Sequence, residues 1–276
     1  MPVISTNTAA NAAVMYLNVN AAQESSALQK LSSGSRITQA SDDAAGLAIS
    51  TSISSDVTAL QQAATNASQA TSILQTADGG ASNIGNILAR MESLASEAAS
   101  GTVTDTSRGY IQSEFSQLSS EIDSIASSTT YSGQTLIDGG SSSPFSSGVA
   151  VLVGAQASDT IGITLSNLTS SALSVSGLAI TNISLASAAL ATLSTAIASV
   201  SAARANIGAL ESRFNFSASD ISTQTQNLQA ANSAITDVDV ASEEATLSSA
   251  EVKTQAAVSA ETAANQMPQY LLKLLG

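Results

Sequence analysis

The sequence predicts a mainly α chain, with long antiparallel coiled-coil helices from the N- and C-terminal regions and a small β-hairpin-containing central insert. Three observations predict it. Prolines stand only at positions 2, 144 and 268, so two long stretches lack the residue that interrupts helix interiors. Within those stretches apolar residues recur at alternating steps of three and four, the spacing of a helix face covered by a partner helix. Between them Gly, Ser and Pro cluster and the apolar spacing shortens to two, the period of a strand.

Taken in order, residues 1–43 form a first helix and a junction, with Val14, Leu17, Ala21, Leu28 and Leu31 on one thin apolar face. Residues 44–130 carry a long helix marked by Ile49, Ile53, Val57, Leu60, Ala64, Ala67 and Ile73, resumed at Ile84, Ile87, Met91, Leu94 and Ala98. Gly79 and Gly80 fall inside it at about 1 kcal/mol each relative to Ala, and the helix is expected to continue through them. After the turn at Gly101 and Thr102, Ile111, Phe115, Leu118, Ile122 and Ile125 predict a returning helix that closes a hairpin. Residues 131–182 are the insert, where Val149, Val151 and Val153 and then Ile161, Ile163 and Leu165 alternate as two strands joined through Gly154 to Asp159.

Residues 183–238 carry the most regular repeat: Ile207, Leu210, Phe214, Ile221, Leu228, Ala231, Ile235 and Val238, with Leu190, Leu193, Ile197 and Val200 upstream and Ser217 and Gln224 at the unfilled positions. A repeat near 3.5 residues held over about fifty residues marks a coiled coil, since such a helix spans roughly 75 Å. Residues 239–276 form the last helix, again with a thin stripe.

Composition narrows the function. There is no His and no Cys, which excludes imidazole bases, thiol nucleophiles, disulfides and His-liganded zinc. A formal charge of -13, from 21 acids against 8 bases, opposes binding to nucleic acid or to an anionic membrane surface. Ala and Ser number about fifty each, and buried Ala contributes little apolar area at about 25 cal/mol per Å². The thin stripes at the two ends are therefore too weak to hold together alone, and neighbouring molecules are expected to bury them. Met1 to Asn20 lacks a basic segment ahead of an apolar stretch, so no secretory signal peptide is expected, and Tyr270 to Leu275 is too short an apolar run for a membrane span. No cofactor and no enzyme activity are expected.

Leu31 to Ser50, with its LSSGSRITQASDDAAGLAIS run, closely resembles the N-terminal signature of bacterial flagellins. Arg204 to Phe214 resembles the family stretch that ends in an Arg-Phe pair, and Ala264 to Leu275 resembles its terminal tail. Gly133 to Gly139 and Val153 to Ile161 are similar to two landmarks of the insert. The resemblance implies a structural subunit that polymerises into an extracellular motility filament, with the terminal helices in an inner core, the next helices outside them and the insert facing solvent. It implies as partners other copies of the chain, the flagellar export apparatus and an export chaperone, hook-associated and cap proteins, and an innate immune receptor. The terminal helices would be disordered in the free subunit and fold on assembly. A hook-filament junction protein and a cell-surface receptor or adhesin binding polysaccharide are the competing readings. The zinc-peptidase insert of some flagellins is excluded, because no His is present.

On the same grounds Arg36, Asp42 and Asp43 are expected at subunit contacts, and Leu228, Ile235, Leu271 and Leu272 on the assembling seams. Arg90, Leu94 and Glu114 match the family's receptor-recognition region. A plainer role for Asp42 and Asp43 is dipole complementation, with Ser41 capping a helix that starts near Asp42; Glu243 and Glu244 after Ser242 read the same way. Asp237 to Val240 lacks the Gly and the later Glu of a calcium loop. Ser141 to Ser147 is a candidate for glycosylation by composition.

Overall fold

The computed structural model describes residues 7–140 and 143–275, with side chains as far as Tyr270. Among the described residues five α-helices occur: α1 (Thr8–Ser33), α2 (Ala44–Ala99), α3 (Asp105–Ser128), α4 (Ile183–Thr236) and α5 (Val240–Leu275). Four short strands lie between α3 and α4: β1 (Thr130–Tyr131), β2 (Gln134–Thr135), β3 (Val149–Leu152) and β4 (Thr160–Ile163). The chain divides into two compact units. One comprises residues up to Ser55 together with those from Asn227 onward, and the other runs from Asp56 to Gln226.

In the second unit the core is a heptad seam. On α2 the buried residues are Leu60, Ala67, Leu74, Ala81, Leu88 and Ala95, with Ala63, Ala70, Ala77, Ile84, Met91 and Ala98 three residues on from each. On α4 Ala186, Leu193, Val200, Ile207, Phe214 and Ile221 are buried at steps of seven, with Ala189, Ala196, Ala203 and Leu210 between them. The two helices run antiparallel: Arg204 pairs with Asp78 at 2.8 Å, and Val200 lies against Gly85. The α2 seam departs from the expected stripe, because Leu74 and Leu88 face inward while Ile73 and Ile87 flank the core half-buried. Alanines keep the seam in phase here, and large residues stand on both sides of it.

Helix α3 packs back on α2 through Phe115, Ile122 and Ala126. Arg108, buried near its start, fixes the turn: Nε donates to the Ala98 carbonyl at 2.7 Å, one Nη to Ser100 at 2.8 Å, and the other pairs with Asp105 at 2.6 Å. The bond to Ala98 satisfies a carbonyl that the end of α2 leaves without a helical partner, and the bond to Ser100 adds to the one its carbonyl accepts from the Val103 amide in the turn. Helix α2 is continuous through Gly79 and Gly80.

The insert holds two antiparallel hairpins. Ser132 and Gly133, both at positive φ, turn β1 into β2, while β3 pairs β4 with Val149 opposite Ile163. Two side chains of α3 bind the insert's return. Gln112 accepts from the Ile180 amide at 2.6 Å and donates to the Leu178 carbonyl, and Asp123 accepts from the Ser170 amide and hydroxyl at 2.8 and 2.7 Å.

The helix caps correct the expectation. Asp43, not Ser41, caps α2: its carboxylate accepts from the Gly46 amide at 2.8 Å and α2 begins at Ala44. Asp239, not Ser242, caps α5 by accepting from the Ala241 and Ser242 amides, and Glu243 falls in the first turn. In each case the Asp reaches amides two or three residues ahead, the N-cap geometry. Among the described residues one helix, α4, is long and apolar enough to cross a membrane by length and composition, beyond the short Tyr270 to Leu275 run; in this structure its Ala186, Leu193 and Val200 face joins the helical core.

Candidate subunit interface

In the first unit α1 and α5 lie antiparallel. Asn7 Nδ2 donates to the Ala264 carbonyl at 2.8 Å near one end, Thr254 Oγ1 to Glu24 at 3.3 Å midway, and the Val238 amide to Gly34 at the other. The residues turned toward the partner keep heptad spacing: Ala10, Leu17, Glu24 and Leu31 with Ala13, Asn20 and Ala27 on α1, and Leu247, Thr254, Glu261 and Pro268 with Ala250, Ala257 and Ala264 on α5. Most are small or polar. The larger apolar residues Met15, Tyr16, Val19, Leu28, Val252, Val258, Met267 and Tyr270 are exposed. Val14, Ala21 and Leu28, expected on one stripe with Leu17 and Leu31, belong to this outer surface.

Between α1 and α2 the chain turns through a tight junction. Gly34 at φ 70° closes α1 in the left-handed conformation, which a residue with a β-carbon adopts only under strain. The Arg36 amide donates to the Thr236 carbonyl at 2.6 Å, and its guanidinium donates to Ile235 at 2.8 Å. Asp42 accepts from the Thr38 amide and hydroxyl and from the Gln39 amide. These bonds, first those from Thr38, hold its carboxyl below the ordinary Asp range. Gly46 is required beside this loop, because a β-carbon there collides with Asp43 and Ile37.

The predicted contact residues thus fall as follows. Arg36, Asp42 and Asp43 converge on the junction, each engaged with its own chain. Leu228 and Ile235 are half-buried in the last three turns of α4, and the side chains of Leu271 and Leu272 lie outside the described residues. In the second unit Arg90 forms a surface pair with Glu114 at 2.6 Å, whereas Leu94 is 2% exposed and belongs to the core. Arg108, Gln112 and Asp123 were not singled out from the sequence. Nothing in their spacing separates them from solvated polar residues of an amphipathic helix. Among the described residues no group of three or more His, Cys, Asp or Glu is gathered to hold a metal ion.

The geometry is that of a structural element: long heptad seams and an apolar outer surface on the paired terminal helices. Comparison with known proteins agrees. Residues 4–142 match the bacterial flagellin N-terminal helical region, and residues 190–275 match the bacterial flagellin C-terminal helical region. The chain is 34% identical to a flagellin of Halalkalibacterium halodurans, with 99% of each chain covered. It is also 34% identical to the flagellar filament 30.7 kDa core protein of Treponema maltophilum over 99% of each. The crystal structure of Bacillus cereus flagellin superposes with a TM-score of 0.52 at 27% identity, covering 61% of this chain and 94% of that one. The chain belongs to the bacterial flagellins, and it is a structural subunit of the flagellar filament rather than an enzyme.

Proposed function

We propose that the α1/α5 pair and the adjoining junction are the surface through which this subunit joins its neighbours, with the terminal helices forming an inner layer of the filament. The observation that carries this reading is the inverted distribution of side-chain size. Between α1 and α5 stand mainly alanines, with Leu17, Leu31 and Leu247 among them, while Met15, Tyr16, Val19, Leu28, Val252, Val258 and Met267 stand outside. Burying a Val, Leu or Met side chain contributes about 1.5 to 3 kcal/mol, so most of the apolar stabilisation available to this pair comes from covering its outer face. A contact that repeats head to tail without closing makes a fibre.

On this reading the chain leaves the cell through the flagellar export apparatus, escorted by a chaperone. It adds at the distal tip beneath cap proteins, next to hook-associated proteins at the base, and works outside the cell. Leu228 and Ile235 extend the seam toward neighbours, and Leu271 and Leu272 continue the α5 stripe. Arg36, Asp42 and Asp43 hold the junction in the form that neighbours meet. Arg90 and Glu114 offer an innate receptor its surface contact, with Leu94 supporting them from beneath. Seeded elongation tests the central claim: wild-type chain elongates, and the Leu228→Asp/Ile235→Asp variant is exported but forms no filaments. Filaments of normal length from that variant overturn the seam assignment.

A further inference from the structure

Three of the four phenylalanines, Phe115, Phe145 and Phe214, are buried, while Phe216 is 78% exposed on α4. Within the same unit a groove of about 340 Å³ runs between α2 and α4, lined by small and polar residues that include Ala64, Ala67, Ser68, Ser72 and Asn215. Asn215 and Phe216 are adjacent in sequence, so they share an axial level, yet at roughly 100° per residue they lie on different flanks of the helix. The knob and the groove therefore stand at one height on two faces, and one molecule cannot fill its own groove with its own ring.

Charge follows the same division. Arg213 lies one turn before Phe216 on the ring's flank, and Glu211 lies one turn before Asn215 on the groove's flank. Among the described residues neither forms an ion pair, whereas Arg90, Arg108 and Arg204 are each paired within the chain. The other acid on the ring's flank, Asp220, accepts from Gln224 at 2.8 Å.

We propose that Phe216 of one subunit seats in the groove between α2 and α4 of a second copy of this chain, with Arg213 paired to that copy's Glu211. The contact is heterologous, since knob and groove differ, so each subunit offers a free knob to one neighbour and a free groove to another and the series stays open. An aromatic ring beside an Arg is the usual make-up of an energetically dominant contact. This inference rests on the filament reading but uses a surface separate from the α1/α5 pair.

The test is photo-crosslinking in assembled filaments. A Phe216→benzoylphenylalanine chain is copolymerised with an excess of wild-type chain, irradiated and digested. The expected adducts join position 216 of one copy to residues 64–75 of another. In seeded elongation Phe216→Ser raises the critical concentration about tenfold and Phe216→Leu restores much of the loss. Arg213→Glu weakens elongation up to about fivefold, and adding Glu211→Arg to it recovers the rate. Filaments that form normally but crosslink elsewhere, or not at all, overturn the inference and leave the filament reading standing. A wild-type chain that forms no filaments overturns both.

Discussion

Gly79 and Gly80 stand side by side in α2 and answer to different demands. A β-carbon on Gly79 meets nothing within 4 Å, whereas one on Gly80 is driven into Thr129 and reaches Ile137 Cδ1 at 3.0 Å. Gly79→Ala is therefore expected to stabilise the helical core by about 0.5 to 1 kcal/mol through helix propensity. Gly80→Ala, with the same propensity gain, is expected to lower stability by about 1 to 3 kcal/mol through overpacking; denaturant midpoints of the two variants check the difference in sign. Arg108 makes a second residue-scale prediction. Arg108→Ala strands the carbonyl of Ala98 and leaves that of Ser100 with the Val103 amide alone, and is expected to lower stability by about 1 to 3 kcal/mol. Arg108→Lys is not expected to rescue it, since an ammonium does not reproduce the guanidinium fork. Asp42 gives a pH dependence. Its folded-state pKa is depressed, so its support of the junction is present above the ordinary Asp range and is lost as pH falls through the lower folded value. Amide exchange at Thr38 and Gln39 should accelerate below the ordinary range, and Asp42→Asn should remove that step.

At the scale of the element, legibility followed side-chain size. From Val200 onward the seam of α4 could be read directly because Val200, Ile207, Leu210, Phe214 and Ile221 are large and all turn inward, whereas upstream Leu190 and Ile197 only flank the core and Ala189 and Ala196 fill it. The seam of α2 was read one position off at Ile73 and Ile87, because alanines carry its phase and a β-branched neighbour looks the stronger signal. The α1 stripe was placed half off for the same reason: Leu17 and Leu31 do turn toward α5, but Ala10, Ala27, Ala250, Ala257 and Ala264 carry the phase of the pair, and Val14, Ala21 and Leu28 face away. The caps were missed because Ser and Asp are both good N-caps and stand within three residues of each other at both helix starts. The β3 and β4 hairpin was legible from period two, but β1 and β2 span two residues each and left no periodic trace. One prediction belongs here. Ala257→Leu pushes α1 and α5 apart and is expected to block filament growth while leaving the melting of the 56–226 unit unchanged; sedimentation and thermal unfolding report the two effects separately.

For the whole molecule, the division at residues 55/56 and 226/227 separates a densely filled core from a pair of helices with alanines between them. Backbone amides of α1 and α5 are expected to exchange quickly in dilute subunit and to gain protection in filaments, while those of the core stay protected in both. Strong protection of both terminal helices in dilute subunit would sink that expectation. The insert has a different consequence. The bonds from Gln112 and Asp123 fasten its far end to α3, and residues 155–158 at the tip of the β3/β4 hairpin are exposed. That tip is a natural splice point for foreign sequence, and a cargo grafted there would be displayed once per subunit, turning one gene into a long, evenly spaced array of copies.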